Sequence, residues 1–232
     1  MEKRHTSAQY ESELQEVRTS LIYMGALAEK AIEKSVNALL QRDSDLARTV
    51  MAEDDQIDRL DVDIEDKCIR LLALRQPAAR DLRFITTAIK INGHLERIGD
   101  MAVNIAKKVI ILNAAPQLKP YIDLPRMAEI TRGMIKGSID ALVNEDITLA
   151  NKVRSDDEHV DNLTEQIFRE LLTFMMEDGH TIHRALIIMQ ISKSLERISD
   201  HAKGIADMVV YMVTGKSVRH EEPVEGGTEL NR

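Results

Sequence analysis

The segments INGHLERIGDMAVNIAK (91–107) and ISKSLERISDHAKGIAD (191–207) spell nearly the same helix twice, one hundred residues apart. In the first copy Phe84, Ala88, Ile91, Leu95, Ile98, Ala102, Ile105, Val109 and Leu112 recur at alternating spacings of four and three. In the second, Ile188, Ile191, Leu195, Ile198, Ala202, Ile205, Val209 and Met212 keep that rhythm. Such a run is a heptad seam, the apolar stripe of a long packed helix. The likeness extends outward: ALLQRDSDLARTVMAEDDQID (38–58) lies over ALVNEDITLANKVRSDDEHVD (141–161) at an offset of 103. The three-residue difference falls where RQPAARD (75–81) faces MMEDGHTI (175–182), around Pro77 and Gly179. Turns absorb insertions most easily. A repeat of this length means two similar folded units.

Each unit reads as three helices. The first helix has a seam of Leu14, Val17, Leu21, Met24, Ala28 and Ala31. The second has Leu46, Val50, Ile57, Leu60, Ile64 and Leu71, interrupted by Glu53 and Lys67. Breaks fall at QRDSD (41–45), Pro77, NAAPQLKP (113–120), NEDIT (144–148) and EDG (177–179). Long helices joined by short turns pack as antiparallel bundles at shallow crossing angles. Period-two alternation is scarce, so strands find little support. The expected fold is all-α, with two tandem, internally repeated three-helix bundles over 10–115 and 120–219. The polar tail 220–232, with Pro and Gly, is expected to be disordered.

Composition agrees. Hydrophobic residues make up 44% of the 232 and aromatics only 3%, without Trp, so aliphatic side chains must fill the core, as suits helices. The net charge of -8 argues against a general nucleic-acid binder, which needs a basic face for phosphates. The single Cys68 excludes an internal disulfide and fits a reducing compartment. The N-terminus is polar, and no run of about 18 apolar residues occurs. A cytoplasmic chain that does not enter the bilayer is expected.

The acidic residues carry a second pattern. Glu96 and Asp100 are four apart, share one helix face, and lie off the principal seam. Asp54, Asp58, Asp61 and Glu65 form a like-charged stripe on the second helix, with Arg59 as the one nearby cation. The second unit keeps Asp157 and Asp161, but Thr164 and Phe168 take the later places. Like-charged neighbours at this spacing cost about 0.2–0.5 kcal/mol per pair, which a bound cation would reverse. If the second and third helices of each unit lie side by side, Asp-x-x-x-Asp meets Glu-x-x-x-Asp. Four carboxylates then offer hard oxygen ligands. A lone Glu-x-x-x-Asp is usually solvated surface; recurrence of both pairs in both units is what points to metal.

Other features carry less. Glu177-x-x-His180 has the spacing used in di-iron bundles, yet it occurs once and sits at a helix junction. His201 follows Asp200, where a solvated rim histidine is the commoner fate. Cys68 has no partner at a metal spacing and reads as a small apolar residue. No glycine-rich phosphate loop or nucleophile elbow is present, which excludes the common nucleotide hydrolases. Arg75, Arg80, Asp81 and Arg83 make a charged cluster suited to docking a partner.

RQPAARDLR (75–83), ERIGD (96–100), MMEDGHTI (175–182) and ERISD (196–200), on a duplicated helical chain, resemble the PhoU family of phosphate-transport regulators. The resemblance runs from about Tyr10 to His220. It implies a non-enzymatic, cytoplasmic, usually dimeric protein at the inner membrane. Such a protein couples the ATPase subunit of the phosphate ABC transporter to a phosphate-sensing histidine kinase, and restrains uptake and the starvation response. It also implies metal sites on the bundle surface, holding Fe, Zn, Mn or Mg. By matching position these would use Asp54, Asp58, Glu96 and Asp100, then Asp157, Asp161, Glu196 and Asp200. Asp61 and Glu65 lack acidic counterparts in the second unit, and Asn104 is matched by Gly204, so the two sites need not fill equally. The competing expectation is a carboxylate-bridged metalloenzyme, which requires inward ligands and open coordination positions.

Overall fold

The computed structural model describes residues 2–218, with side chains from residue 8 onward. The expected tail at 220–232 lies outside the described residues. Seven α-helices follow in order: α1 (Glu2–Gln41), α2 (Ser44–Glu53), α3 (Asp55–Arg75), α4 (Ala79–Asn113), α5 (Asp123–Asn144), α6 (Ile147–Glu177) and α7 (Ile182–Thr214). One turn of 3-10 helix, Gly179–Thr181, precedes α7. No strand occurs among the described residues.

The turns stop the helices by identifiable chemistry. Asp43 caps α2, its side chain accepting from the backbone N–H groups of Asp45 and Leu46 at 2.9 Å each. Its repeat counterpart Asp146 caps α6 through the N–H of Leu149 at 3.0 Å. Each satisfies donors that the first turn would otherwise leave open. Gln76 takes a left-handed conformation after α3, and Pro77 bars continuation of the helix.

The second helix of the first unit was expected to be continuous, and it is not. Its hydrogen-bond ladder breaks at Asp54, dividing α2 from α3, although Asp54 keeps helical dihedrals. The N–H of Ile57 reaches back only three residues, to the Asp54 carbonyl at 2.8 Å. The equivalent α6 runs unbroken through Asp157. The α1 seam also needs one correction: after Ala28 the next buried position is Ile32, four residues on, and Ala31 is only partly covered. A step of four keeps a straight helix nearer its 3.6-residue period than a strict heptad does.

The long repeated helices form the centre. Leu95, Ile98, Ala102 and Ile105 on α4, and Leu195, Ile198, Ala202 and Ile205 on α7, are fully buried. The two helices pack antiparallel: Arg83, near the start of α4, donates to the carbonyl of Met212, near the end of α7. His94 meets Gly204 further along. Helices α1 to α3 cover α4 and helices α5 and α6 cover α7, while α1 also packs on α5. The buried apolar residues of both units form one continuous cluster. Cys68 lies wholly inside it, where burial pushes the thiol up to about 12.

Candidate functional site

The α3/α4 face gathers the first acidic group. Gly99 lets the helices close here: a Cβ at that position would stand 2.9 Å from Asp54 Oδ1 and 3.0 Å from Ile57 Cδ1. Asp54 is half-buried, and its carboxyl is pushed up to about 6 by burial, then by Asp58, Asp100 and Asp55, against the pull of Lys107. Glu96 is raised by burial and by Asp100, Asp61 and Asp58, while Arg97 opposes the rise. Arg97 reaches both acids of its own helix, Glu96 and Asp100, at 3.3 Å. Asp61 is fixed by Asn92, whose amide donates to its Oδ1 at 2.6 Å and to its carbonyl at 2.9 Å. Asp54, Asp58, Glu96 and Asp100 thus feel one another across the helix pair.

The α6/α7 face repeats the arrangement with a difference. Asp200 is pushed up to about 6 by desolvation and by Asp157, Glu196 and Asp161, with Lys203 opposing. Asp161 is raised by burial, Asp157 and Glu196. The resemblance implied metal sites on the bundle surface, but Asp157 is only 3% exposed. Its Oδ2 accepts from Lys203 Nζ at 2.6 Å, and its Oδ1 is buried without a hydrogen-bond partner. Lys193 donates to Glu196 Oε1 at 2.6 Å. Arg59, the cation singled out in the sequence, is instead turned to the Asp55 carbonyl at 2.9 Å. Of the cations that face the acids, Arg97 and Lys193 contact acids of their own helices, whereas Lys107 and Lys203 act on Asp54 and Asp157 of the neighbouring helix, a relation that has no periodic signature in the sequence.

Hard oxygen donors, burial and then mutual repulsion that raise Asp54 and Asp200, and an orphaned buried oxygen on Asp157 all suit a cation. As the side chains stand, no three His, Cys, Asp or Glu among the described residues converge as a ready-made cage.

Two further groups define the surroundings. His94 and His201 face each other across α4 and α7 with their Nδ1 atoms 3.0 Å apart, so one ring donates to the other. Burial, Arg97 and Arg197 hold His201 below the ordinary histidine range. His94 carries no repeat counterpart, since Ser194 takes its place, and only the fold reveals the pair. The charged cluster near Pro77 is engaged within the chain. Arg75 grips Glu13 at 2.6 and 2.9 Å, Arg80 reaches Glu145 at 2.6 Å, Asp81 accepts from the Tyr10 hydroxyl at 3.0 Å, and Arg83 donates to Met212. Glu177 ends α6, and His180 lies in the α6–α7 turn, where it pairs with Asp178 at 2.9 Å.

Comparison with known proteins follows the same lines. A family model described as the PhoU domain matches twice, over residues 21–109 and 124–209. A Pseudomonas aeruginosa protein named as a phosphate-specific transport system accessory protein PhoU homolog is 42% identical over 93% of this chain and 90% of its own. An Aquifex aeolicus protein of the same name is 42% identical, covering 93% and 97%. The crystal structure of PhoU from Pseudomonas aeruginosa superposes with a TM-score of 0.86 at 41% identity, over 89% of this chain and 100% of that one. The phosphate transport system regulatory protein PhoU from Streptococcus pneumoniae gives 0.83 at 28% identity, over 90% and 99%. By two domain matches and relatives aligned along almost their whole length, the chain belongs to the PhoU family.

Proposed function

We propose that this chain is a non-enzymatic accessory of phosphate transport that restrains phosphate uptake and the phosphate-starvation response. The observation that carries the reading is the near full-length match to proteins named phosphate-specific transport system accessory proteins. In this reading the chain acts as a cytoplasmic homodimer, peripheral to the inner membrane, and contacts the ATPase subunit of the phosphate transporter and the phosphate-sensing kinase. No helix among the described residues is long and apolar enough to cross a membrane, so attachment would come through protein partners. Binding shifts a partner only by preferring one of its states, which suits an adaptor built as a rigid bundle.

The acidic faces would hold metal: Asp54, Asp58, Glu96 and Asp100 on one, Asp157, Asp161, Glu196 and Asp200 on the other, with Fe, Zn, Mn or Mg as the ion. The ion would supply positive charge that turns repulsion between neighbouring helices into attraction. The side chains do the positioning, with Gly99 admitting Asp54 to α4 and Lys203 holding Asp157 until an ion replaces it. Two exposed places suit docking, a corner at Arg80 and a groove beside the second acidic face. Arg80 remains 73% exposed at its corner, and a groove of about 310 Å³ lined by Phe168 and Met189 opens next to Asp161 and Glu196.

Co-purification from cells grown at high phosphate tests the reading. Recovery of the transporter ATPase and the kinase with this chain is the expected result. Phosphate-responsive transcription left unchanged by deletion of the gene would overturn it.

A further inference from the structure

A second charged site lies away from both acidic faces. A cavity of about 170 Å³ opens between the start of α4, the α1 surface, the end of α7 and the turn joining α5 to α6. It therefore touches both repeats. Arg18, Arg80 and Arg83 line it together with Asp81 and Glu145. The Arg18 guanidinium carbon stands 4.4 Å from the centroid of the Phe84 ring, a cation–π contact that holds the group at the cavity. Arg83 spends one donor, Nε, on the Met212 carbonyl at 3.2 Å. Arg80 Nη2 meets both oxygens of Glu145, at 2.6 and 2.8 Å.

Three guanidinium groups against two carboxylates leave one positive charge in excess. Glu145 is the carboxylate that lies outside the regular helices. It sits in a turn, at a left-handed φ of 54° that a non-glycine residue adopts reluctantly. The repeat provides a control. Arg42, its counterpart, has the same φ of 54° but points a guanidinium at the carbonyls of Asn113 and Ala115, at 3.0 and 2.6 Å. The fold therefore does not require a carboxylate in this turn. At Glu145 the carboxylate stands where an anion would stand, against an arginine fork.

We propose that this cavity binds a hydrogenphosphate dianion, which displaces Glu145 and is held by Arg18, Arg80 and Arg83. Two negative charges then meet the two positive charges that remain once Asp81 is counted, so the site becomes neutral. Asp81 uses one oxygen, Oδ2, to accept from the Tyr10 hydroxyl at 3.0 Å. Its carboxylate supplies an acceptor for the proton that hydrogenphosphate keeps. Sulfate carries no such proton and would set lone pairs against lone pairs, which a hydrogen-bonding site rejects strongly. The site is distinct from the metal faces; it shares Arg80, Asp81 and Arg83 with the charged docking cluster, but phosphate titration of the isolated chain does not test partner binding, so its failure would leave the metal and adaptor readings standing.

Isothermal titration of the full chain in chelator-treated buffer, at neutral pH and fixed ionic strength, tests the proposal with inorganic phosphate and with sulfate. Saturable phosphate binding at one site per chain is expected, with sulfate weaker by about tenfold or more. Glu145→Gln removes the resident competitor and should tighten phosphate binding several-fold, while Arg18→Gln should weaken it by about tenfold, the loss of one charge-assisted contact. Circular dichroism confirms folding of each variant, and Glu145→Gln, a change at a turn, carries the test if Arg18→Gln does not fold. Absence of saturable binding, sulfate bound as well as phosphate, or an unaltered affinity in Glu145→Gln would overturn it.

Discussion

Lys203 Nζ lies 2.6 Å from Asp157 Oδ2, and the position that matches Lys203 in the first repeat is Val103. The second acidic face thus carries its own cation, set against a carboxylate that is 4% exposed at the side chain. On the first, Arg97 stands at 3.3 Å from Glu96 and from Asp100, and Lys107 acts on Asp54 at longer range. Removing one partner of a buried pair leaves an uncompensated charge. Lys203→Met should therefore destabilise the metal-free protein by about 1–3 kcal/mol, less than a fully buried pair because Lys203 is partly exposed. Manganese or magnesium should restore much of that loss in the variant and do little for it in the parent's second site. Urea unfolding with and without metal measures both.

Gly99 sets the separation of α3 and α4 at the first face. A methyl group there meets Asp54 Oδ1 at 2.9 Å and Ile57 Cδ1 at 3.0 Å, and Ile57 is itself buried. Gly99→Ala gains helix propensity but overpacks the contact, for a net loss of about 1–2 kcal/mol. It should also weaken metal at the first face and leave the second unchanged, because Ser199 already occupies the matching position. Metal titration of the variant alongside Asp157→Asn, which disables the other face, separates the two sites.

The heptad of α4 and α7 could be read from sequence because period is a local property, and Leu95, Ile98, Leu195 and Ile198 are all fully buried as it requires. The acids Glu96 and Asp200 were legible for the same reason, through fixed spacing within one helix. Burial of Asp157 was not, since it depends on how far Lys203 reaches from the next helix. The break at Asp54 has no sequence signal either: the residue stays helical in its dihedrals, and only the ladder lapses. His94 against His201 joins two helices at positions that the repeat does not equate, so alignment of the halves pointed elsewhere.

Acid titration should be unusual for a protein rich in carboxylates. Asp54 and Asp200 both rise from 3.8 to about 6 on folding. A carboxyl with a raised folded-state value binds more protons folded than unfolded, so its contribution favours the fold at low pH and is lost as pH rises from about 4 through 6. In the metal-free protein, Asp54→Asn and Asp200→Asn should each be more stable than the parent at pH 7 and nearly equal to it at pH 4. Both carboxyls retain contact with solvent, which reduces the size of the effect below that of a sealed site. Bound metal should cancel the difference at pH 7, since it favours the ionised form. Denaturation midpoints at the two pH values, in chelator and in metal, supply the comparison.

Arg154 and Asp207 form the most deeply buried ion pair among the described salt bridges. Nε donates to Oδ1 at 2.7 Å, and the side chains are 4% and 11% exposed. Arg154 also donates to Asn151 Oδ1 at 3.1 Å and to the Val218 carbonyl at 3.0 Å, tying the chain beyond α7 to α6. Asp207→Ala removes the carboxylate that Arg154 Nε donates to at 2.7 Å and should destabilise the fold by about 1–3 kcal/mol, the range for a hydrogen bond to a charged group. Arg154→Met with Asp207→Leu replaces the pair by apolar groups of similar bulk and should recover most of that loss. It should also free residue 218 from α6, raising amide exchange after Thr214 while exchange in α4 stays slow. If the double variant is as unstable as Asp207→Ala alone, the loss lies in the packing around α6 and not in the broken Arg154–Asp207 contact.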